Sequence, residues 1–168
     1  MRCFGSKGMP FVLESAQSND GLGEWSFFGA EPLEIVSGTS LGELREVMLR
    51  FACPGHVDIP FTGGAVGYLA YDYGRRIEKL PEQAIDDRGI PDMHFGIYDG
   101  VAAYHHATGK LYLLAYGFEE DADAIVARLC NWIEAPVEGS NEPVLEGTWE
   151  WNLTREQFSG AVENVRHY

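Results

Sequence analysis

The stretch Pro60–Arg76, PFTGGAVGYLAYDYGRR, holds four glycines and four aromatic residues in seventeen positions. Glycine lets a backbone come close to another surface, or take conformations where a side chain would clash. Phe61, Tyr68, Tyr71 and Tyr73 bring large rings, three with a hydroxyl that needs a partner. Such a segment is costly as a free loop. It reads as a strand over Ala65 to Tyr71, pressed against another strand and ending in a basic turn at Arg75 and Arg76.

Working outward, strands come in runs rather than alternating with helices. Phe11 to Glu14, Trp25 to Gly29 and Leu33 to Val36 read as strands on the N-terminal side. His94 to His105 and Lys110 to Tyr116 read as two strands joined through Ala107-Thr108-Gly109, a hairpin signal. Between them Gly74 to Leu80 reads as a helical turn, and Glu82 to Asp92 as a polar surface loop. Ser40-Leu41-Gly42-Glu43 has the form of a capping box. It opens a helix with Leu41, Leu44, Val47, Met48 and Phe51 inward, stopped by Pro54 and Gly55. Asp121 to Glu134 reads as a second helix with Ala122, Ile125, Val126, Leu129 and Ile133 inward. Thr154-Arg155-Glu156-Gln157 is a second capping box, before a helix with Phe158, Ala161, Val162 and Val165 inward. The class is α+β, with mostly antiparallel sheets packed with helices.

The chain has 168 residues, 45% hydrophobic and 23% charged, which suits one domain with a real core. Its net charge of −14 argues against nucleic acid and against an anionic membrane surface, since both would repel it. No apolar run approaches the roughly 20 residues that span a bilayer. Residues Met1 to Pro10 contain no apolar signal-peptide core. Cys3, Cys53 and Cys130 are far apart and form no CxxC pair, so neither zinc nor a disulfide framework is expected. A soluble cytoplasmic protein is the expectation. Ala135 to Gly147, rich in proline, glycine and glutamate, reads as a linker. The apolar face of the last helix runs to the end of the sequence, so the chain is expected to stop within a helix. Its exposed Phe158, Val162 and Val165 would then drive self-association against the charge.

Several residues invite a functional reading. Gly63-Gly64-x-x-Gly67 would suit a phosphate cradle, but it lacks the Lys-Ser/Thr of a P-loop and the spacing of a dinucleotide fingerprint. Close strand packing is favoured. Arg75 and Arg76 would suit a carboxylate ligand, yet ion pairs with Asp72, Glu78 or another nearby acid are favoured in so acidic a chain. His105 and His106 are adjacent and so point to opposite faces of a strand, which argues against a shared metal. Asp86, Asp87 and Asp92 lack calcium-loop spacing. No nucleophile–base arrangement stands out, and the residues alone assemble no active site.

Taken together, the motifs resemble those of the chorismate-utilising enzymes, the component I proteins of aminodeoxychorismate synthase and anthranilate synthase. The resemblance rests on PFTGGAVGYLAYDYGRR followed by PDMHFGIYD (Pro91–Asp99), preceded by FVLES (Phe11–Ser15) and SFFGAEP (Ser26–Pro32), and followed by WNLTREQFSGAVENVRHY (Trp151–Tyr168). DDRGIPDMHFGIYD looks closer to the aminodeoxychorismate branch. The resemblance implies the N-terminal part of the anthranilate synthase component I fold over residues 1–148, with 149–168 as the start of a chorismate-binding domain. It implies a non-catalytic portion of an enzyme that converts chorismate and ammonia to 4-amino-4-deoxychorismate for folate synthesis. The 168-residue chain by itself is expected to be inactive. Implied partners are a glutamine amidotransferase component II and the chain's own C-terminal chorismate-binding domain, with magnesium held by residues outside this chain. The alternatives are an anthranilate synthase component I with tryptophan feedback, and a stand-alone amino-acid-binding module.

Leu13-Glu14-Ser15 looks like the family's leucine–glutamate–serine motif at a tryptophan pocket. The resemblance implies that Glu14 meets the ligand's ammonium and Ser15 hydrogen-bonds it, with Leu22, Gly23, Glu24 and Trp25 along the other edge. Glu24-Trp25 departs from the arginine–tyrosine type of sequence usual in aminodeoxychorismate enzymes, and Trp25 has the size to fill the indole space. Strand-end hydrogen bonds and core packing explain the same residues without a ligand.

Overall fold

The computed structural model describes residues 3–14, 23–38, 40–52, 58–81, 86, 88–136, 147–148 and 150–167. The chain divides into two compact units, Met1–Val137 and Glu138–Tyr168.

The first unit contains seven described strands and two α-helices. The strands are β1 (Phe11–Leu13), β2 (Trp25–Gly29), β3 (Glu34–Gly38), β4 (Gly64–Leu69), β5 (Met93–Tyr98), β6 (Gly100–His105) and β7 (Lys110–Ala115). The helices are α1 (Leu41–Arg50) and α2 (Ala122–Glu134). Two sheets form, one in the order β1-β2-β6-β7 and one in the order β3-β5-β4. Every strand pair is antiparallel, as the runs of strands predict.

Strand periodicity sorts the side chains into layers. Phe11, Phe27, Val101 and Ala103 of the first sheet meet Tyr98 and Val66 of the second in an apolar interior between the sheets. The opposite face of the first sheet, with Ala102, Phe28, Leu113 and Ala115, is covered by Ile125, Leu129 and Trp132 of α2 and by Phe4. The opposite face of the second sheet, with Val36, Met93 and Ile97, is covered by Leu44 and Val47 of α1 and by Tyr73. The order is therefore helix, sheet, sheet, helix. Tyr98 ties the interior to the N-terminal segment: its hydroxyl donates to the Met9 carbonyl at 2.8 Å and its ring meets Phe11 edge-on at 4.6 Å.

Local chemistry sets the helix ends. Ser40 Oγ accepts the Glu43 N–H, satisfying one of the unpaired donors of the first turn of α1. The helix buries a narrower stripe than expected. Leu44 and Val47 are buried and Phe51 is partly so, but Leu41 and Met48 lie at the surface. A three-stranded sheet covers less than the whole apolar face. In α2, Trp132 is buried beside the expected Ile125 and Leu129, its ring edge-on to Phe4 at 5.6 Å.

The segment read as one strand from His94 to His105 is two strands in different sheets. The chain leaves β5 at Tyr98, turns at Asp99 and enters β6 at Gly100. Gly100 also faces α2 closely, since a Cβ there would fall 2.6 Å from Ile125 Cγ2. No side-chain pattern distinguishes this switch from a continuous strand, because both neighbours of Asp99 are buried and apolar or small.

The Pro60–Arg76 stretch does form a strand pressed on another. A Cβ at Gly67 would fall 2.0 Å from the His94 carbonyl oxygen and 2.6 Å from Phe95 Cα. That is the close approach its glycine permits. The helical turn comes earlier than expected, as a 3₁₀ helix over Tyr71–Arg76.

In the second unit a single described helix, α3 (Arg155–Arg166), opens with the expected reciprocal capping box between Thr154 and Gln157. Phe158, Ala161, Val162 and Val165, expected inward, are all exposed. The described residues of this unit offer no second element for that face to pack against.

Candidate functional site

Antiparallel pairing brings four separate pieces of sequence to one end of the first sheet. Leu13 pairs with Phe27, so β1 ends where β2 begins. Trp25 pairs with His105, so β6 ends there too, and β7 begins opposite at Lys110. Glu14, Gly23, Glu24 and Trp25 therefore share this end with His105, His106 and Thr108. Ser15 and Leu22 lie outside the described residues.

The aromatic surface at this end is already in use. The Trp25 ring lies nearly parallel to Phe27 with centroids 6.1 Å apart, 4.5 Å from the His105 ring and 5.7 Å from Tyr112. It packs against the inter-sheet interior beside Phe27 and Ala103. Trp25 is thus a wall of the sheet end whose own indole is held by three rings.

The polar groups sit around it. Glu14 and Glu24 are exposed at the strand ends. The Glu24 carboxylate lies 3.9 Å from His105 Nε2, while His105 Nδ1 and Thr108 Oγ1 are 2.8 Å apart. The Glu24 carbonyl accepts the His106 N–H at 2.8 Å. His106 turns to the other face, where its Nε2 lies 2.8 Å from the buried Ser26 hydroxyl. The two histidines point apart, as adjacent strand residues must. The Glu24 carboxylate, near the His105 ring that packs against Trp25, can receive an ammonium group; Glu14, opposite Ser26 in the register, lies toward the other face. The two carboxylates supply neither a nucleophile nor an oxyanion site.

Elsewhere the candidate residues have structural partners. Arg75 pairs with Asp72 at 3.2 Å and Arg76 with Asp92 at 2.8 Å. Asp86 Oδ1 accepts the N–H groups of Arg88 and Gly89, an Asx-type loop. Asp87 lies outside the described residues. Among the described residues no three His, Cys, Asp or Glu side chains converge to hold a metal ion. No helix among them is long and apolar enough to cross a membrane.

Two features were not foreseen. The first is the packing of His105 against Trp25, whose signal is only the Trp25–His105 register, which no local pattern encodes. The second is Asp99. It is 3% exposed at the turn between the sheets, with Oδ2 lacking a hydrogen-bond partner. Burial pushes its carboxyl above the ordinary aspartate value, opposed by its own and the Phe118 backbone N–H and by the Arg128 charge. Arg128 in turn pairs with Glu120.

Comparison with known proteins gives this arrangement its context. Residues 22–168 match the family described as chorismate binding enzyme. The chain is 32% identical to anthranilate synthase component 1 of Streptomyces coelicolor, over 94% of this chain and 34% of that protein. It is 38% identical to aminodeoxychorismate synthase component 1 of Escherichia coli, over 66% of this chain and 23% of that protein. The chain thus spans about a third or less of the length of these relatives. A crystal structure of anthranilate synthase component I from Streptococcus pneumoniae superposes with a TM-score of 0.67 at 19% identity, over 91% of this chain and 40% of that one. That likeness fixes the fold as the α+β arrangement of the component I proteins. With the family match covering all but the first 21 residues, this chain belongs to the chorismate binding enzyme family.

Proposed function

We propose that this chain is the N-terminal, non-catalytic portion of an aminodeoxychorismate synthase component I. Residues 1–148 are the N-terminal domain and 149–168 the start of the chorismate-binding domain. The whole enzyme replaces a hydroxyl of chorismate by an amino group from ammonia, giving 4-amino-4-deoxychorismate for folate synthesis in the cytoplasm. A glutamine amidotransferase component II supplies the ammonia, and magnesium is held by carboxylates outside this chain. The family match over residues 22–168 supports the enzyme family, and the span of about a third or less of its relatives supports the reading as a portion of a longer enzyme. The choice of branch rests on DDRGIPDMHFGIYD (Asp86–Asp99) and on the 38% identity to the Escherichia coli protein. A second reading, anthranilate synthase component I, draws on the 32% identity to the Streptomyces coelicolor protein over nearly the whole chain.

In this reading Glu14, Ser15, Leu22, Gly23, Glu24 and Trp25 form one wall of a tryptophan pocket. The support is that Glu14, Glu24 and Trp25 lie at the same end of the first sheet. With Trp25 held by Phe27, His105 and Tyr112, the wall offers carboxylates more readily than free indole space.

The test is product identity. The longer protein, given chorismate, ammonium and magnesium, is expected to yield a product that keeps the enolpyruvyl ether, read by mass spectrometry. Release of pyruvate with anthranilate would establish the second reading instead. The 168-residue chain alone is expected to leave chorismate unchanged, and turnover by it would refute the non-catalytic assignment.

A further inference from the structure

The sheet end that carries Trp25 also holds a titratable pair. The Glu24 carboxylate, half exposed, lies 3.9 Å from His105 Nε2. That is too long for a hydrogen bond and close enough for a charge to be felt. The imidazole is held from three sides. Its Nδ1 is 2.8 Å from Thr108 Oγ1, its ring packs against Trp25 with centroids 4.5 Å apart, and its backbone sits in register between Trp25 and Lys110. The Glu24 backbone is tied to the same strand, since its carbonyl accepts the His106 N–H at 2.8 Å.

The other groups around this pair are few. Lys110 lies opposite His105 on β7, and Tyr112 packs against Trp25. His106 turns to the other face, where it meets Ser26, and Glu14 lies toward that face too, opposite Ser26. Phe27, stacked on Trp25, and Phe61 beyond it bring no charge. Histidine is the side-chain type whose charge changes between pH 5 and 8, and His105 is the histidine that faces Glu24.

We propose that His105 is a positioning residue that gates an ammonium-binding position at Glu24. Neutral, it leaves the carboxylate free to take the ammonium of an amino-acid ligand. Protonated, it places a cation of its own beside the same carboxylate, and the incoming ammonium meets a partner already neutralised. Affinity for the amino acid therefore falls as pH drops from 8 to 5. By linkage, the bound ligand drives the proton off His105. The proposal rests on the reading of Glu24 and Trp25 as part of a tryptophan pocket, and adds its regulation.

Calorimetry on the longer protein, with tryptophan as the probe, decides. The dissociation constant should rise about three- to five-fold from pH 8 to pH 5.5, the size expected of one half-exposed ion pair. His105→Gln should flatten that profile. In the unsubstituted protein at pH 6, tryptophan should move the His105 imidazole resonances toward their neutral positions and leave those of His106 in place. This second measurement holds even where the variant does not fold. A flat profile in the unsubstituted protein, one equally steep in His105→Gln, or a His105 resonance indifferent to bound tryptophan would overturn the gate and leave the pocket standing. No binding at any pH would overturn pocket and gate together. The product assay does not depend on this pocket, so the choice of branch stands or falls apart from both.

Discussion

β4 and β6 are close in composition and opposite in circumstance. Gly64-Ala65-Val66-Gly67-Tyr68-Leu69 and Gly100-Val101-Ala102-Ala103-Tyr104-His105 both begin with glycine, continue with small residues and place tyrosine fifth. β6 lies between β2 and β7, with its first four residues buried, the last three of them at 1% exposure or less. β4 lies at an edge and its last three residues are exposed. Local propensity gives both the same instruction: small, uncharged, extended. What separates them is the number of neighbours. β6 has a strand on each side, the inter-sheet interior on one face and α2 on the other. Among the described strands β4 has one beside it, with Val66 toward the inter-sheet interior and Ala65 toward the α1 layer. A small residue in β6 is there because bulk will not fit; in β4 that holds at Gly67, while Tyr68 and Leu69 beside it are exposed.

The sharpest way to break this contrast is a charge in each strand. Ala103→Glu puts a carboxylate into the interior between the sheets with no partner, and should cost about 4 kcal/mol or more. For a domain of ordinary stability that is a large share of the total. Leu69→Glu should cost under about 1 kcal/mol, because the side chain is already half in water. Urea unfolding of the two variants reads both values. Equal losses would mean that β4 is covered in the 168-residue chain.

A smaller effect sharpens the packing argument. Gly100→Ala sets a methyl against Ile125 Cγ2, and overpacking of this kind costs about 1–3 kcal/mol. Ile125→Leu removes the β-branch that the methyl meets. The double variant should therefore lose less than the sum of the two single ones, a coupling that a double-mutant cycle in urea reports. Simple additivity would show that contact with α2 is not why glycine stands there.

The smallest expected effect is a slope with pH. Asp99 stands immediately before β6, and burial raises its carboxyl above the unfolded value of 3.8. Below 3.8 both states hold the proton and the group contributes nothing to the pH dependence. As pH rises, the unfolded chain releases the proton first, so stability falls until pH passes the raised folded value, then levels. Asp99→Asn should remove that portion of the slope and leave the protein more stable at neutral pH. Melting temperatures of both proteins across this range decide. An unchanged slope would show that Asp99 is solvated or fully paired in the folded protein.

Much of this molecule was legible in the order of its residues. Ser40 and Thr154 announce helix starts because a side-chain oxygen three residues before a backbone N–H is a purely local geometry. Asp72 and Arg75 lie one turn apart, so their pairing is local too. Ile125 and Leu129 declare the inner face of α2 because helical periodicity is written in successive residues. Glu14, Glu24 and Trp25 were candidates from the sequence, though His105 against Trp25 was not. What only the tertiary structure decided is who lies beside whom. Asp99 divides one apolar run between two sheets, Trp132 meets a phenylalanine over a hundred positions away, and β6 is enclosed while β4 is not. Periodicity records which face of an element is apolar. It carries no record of what that face meets, because strand neighbours are chosen by pairing across the chain, and that free energy belongs to both partners at once.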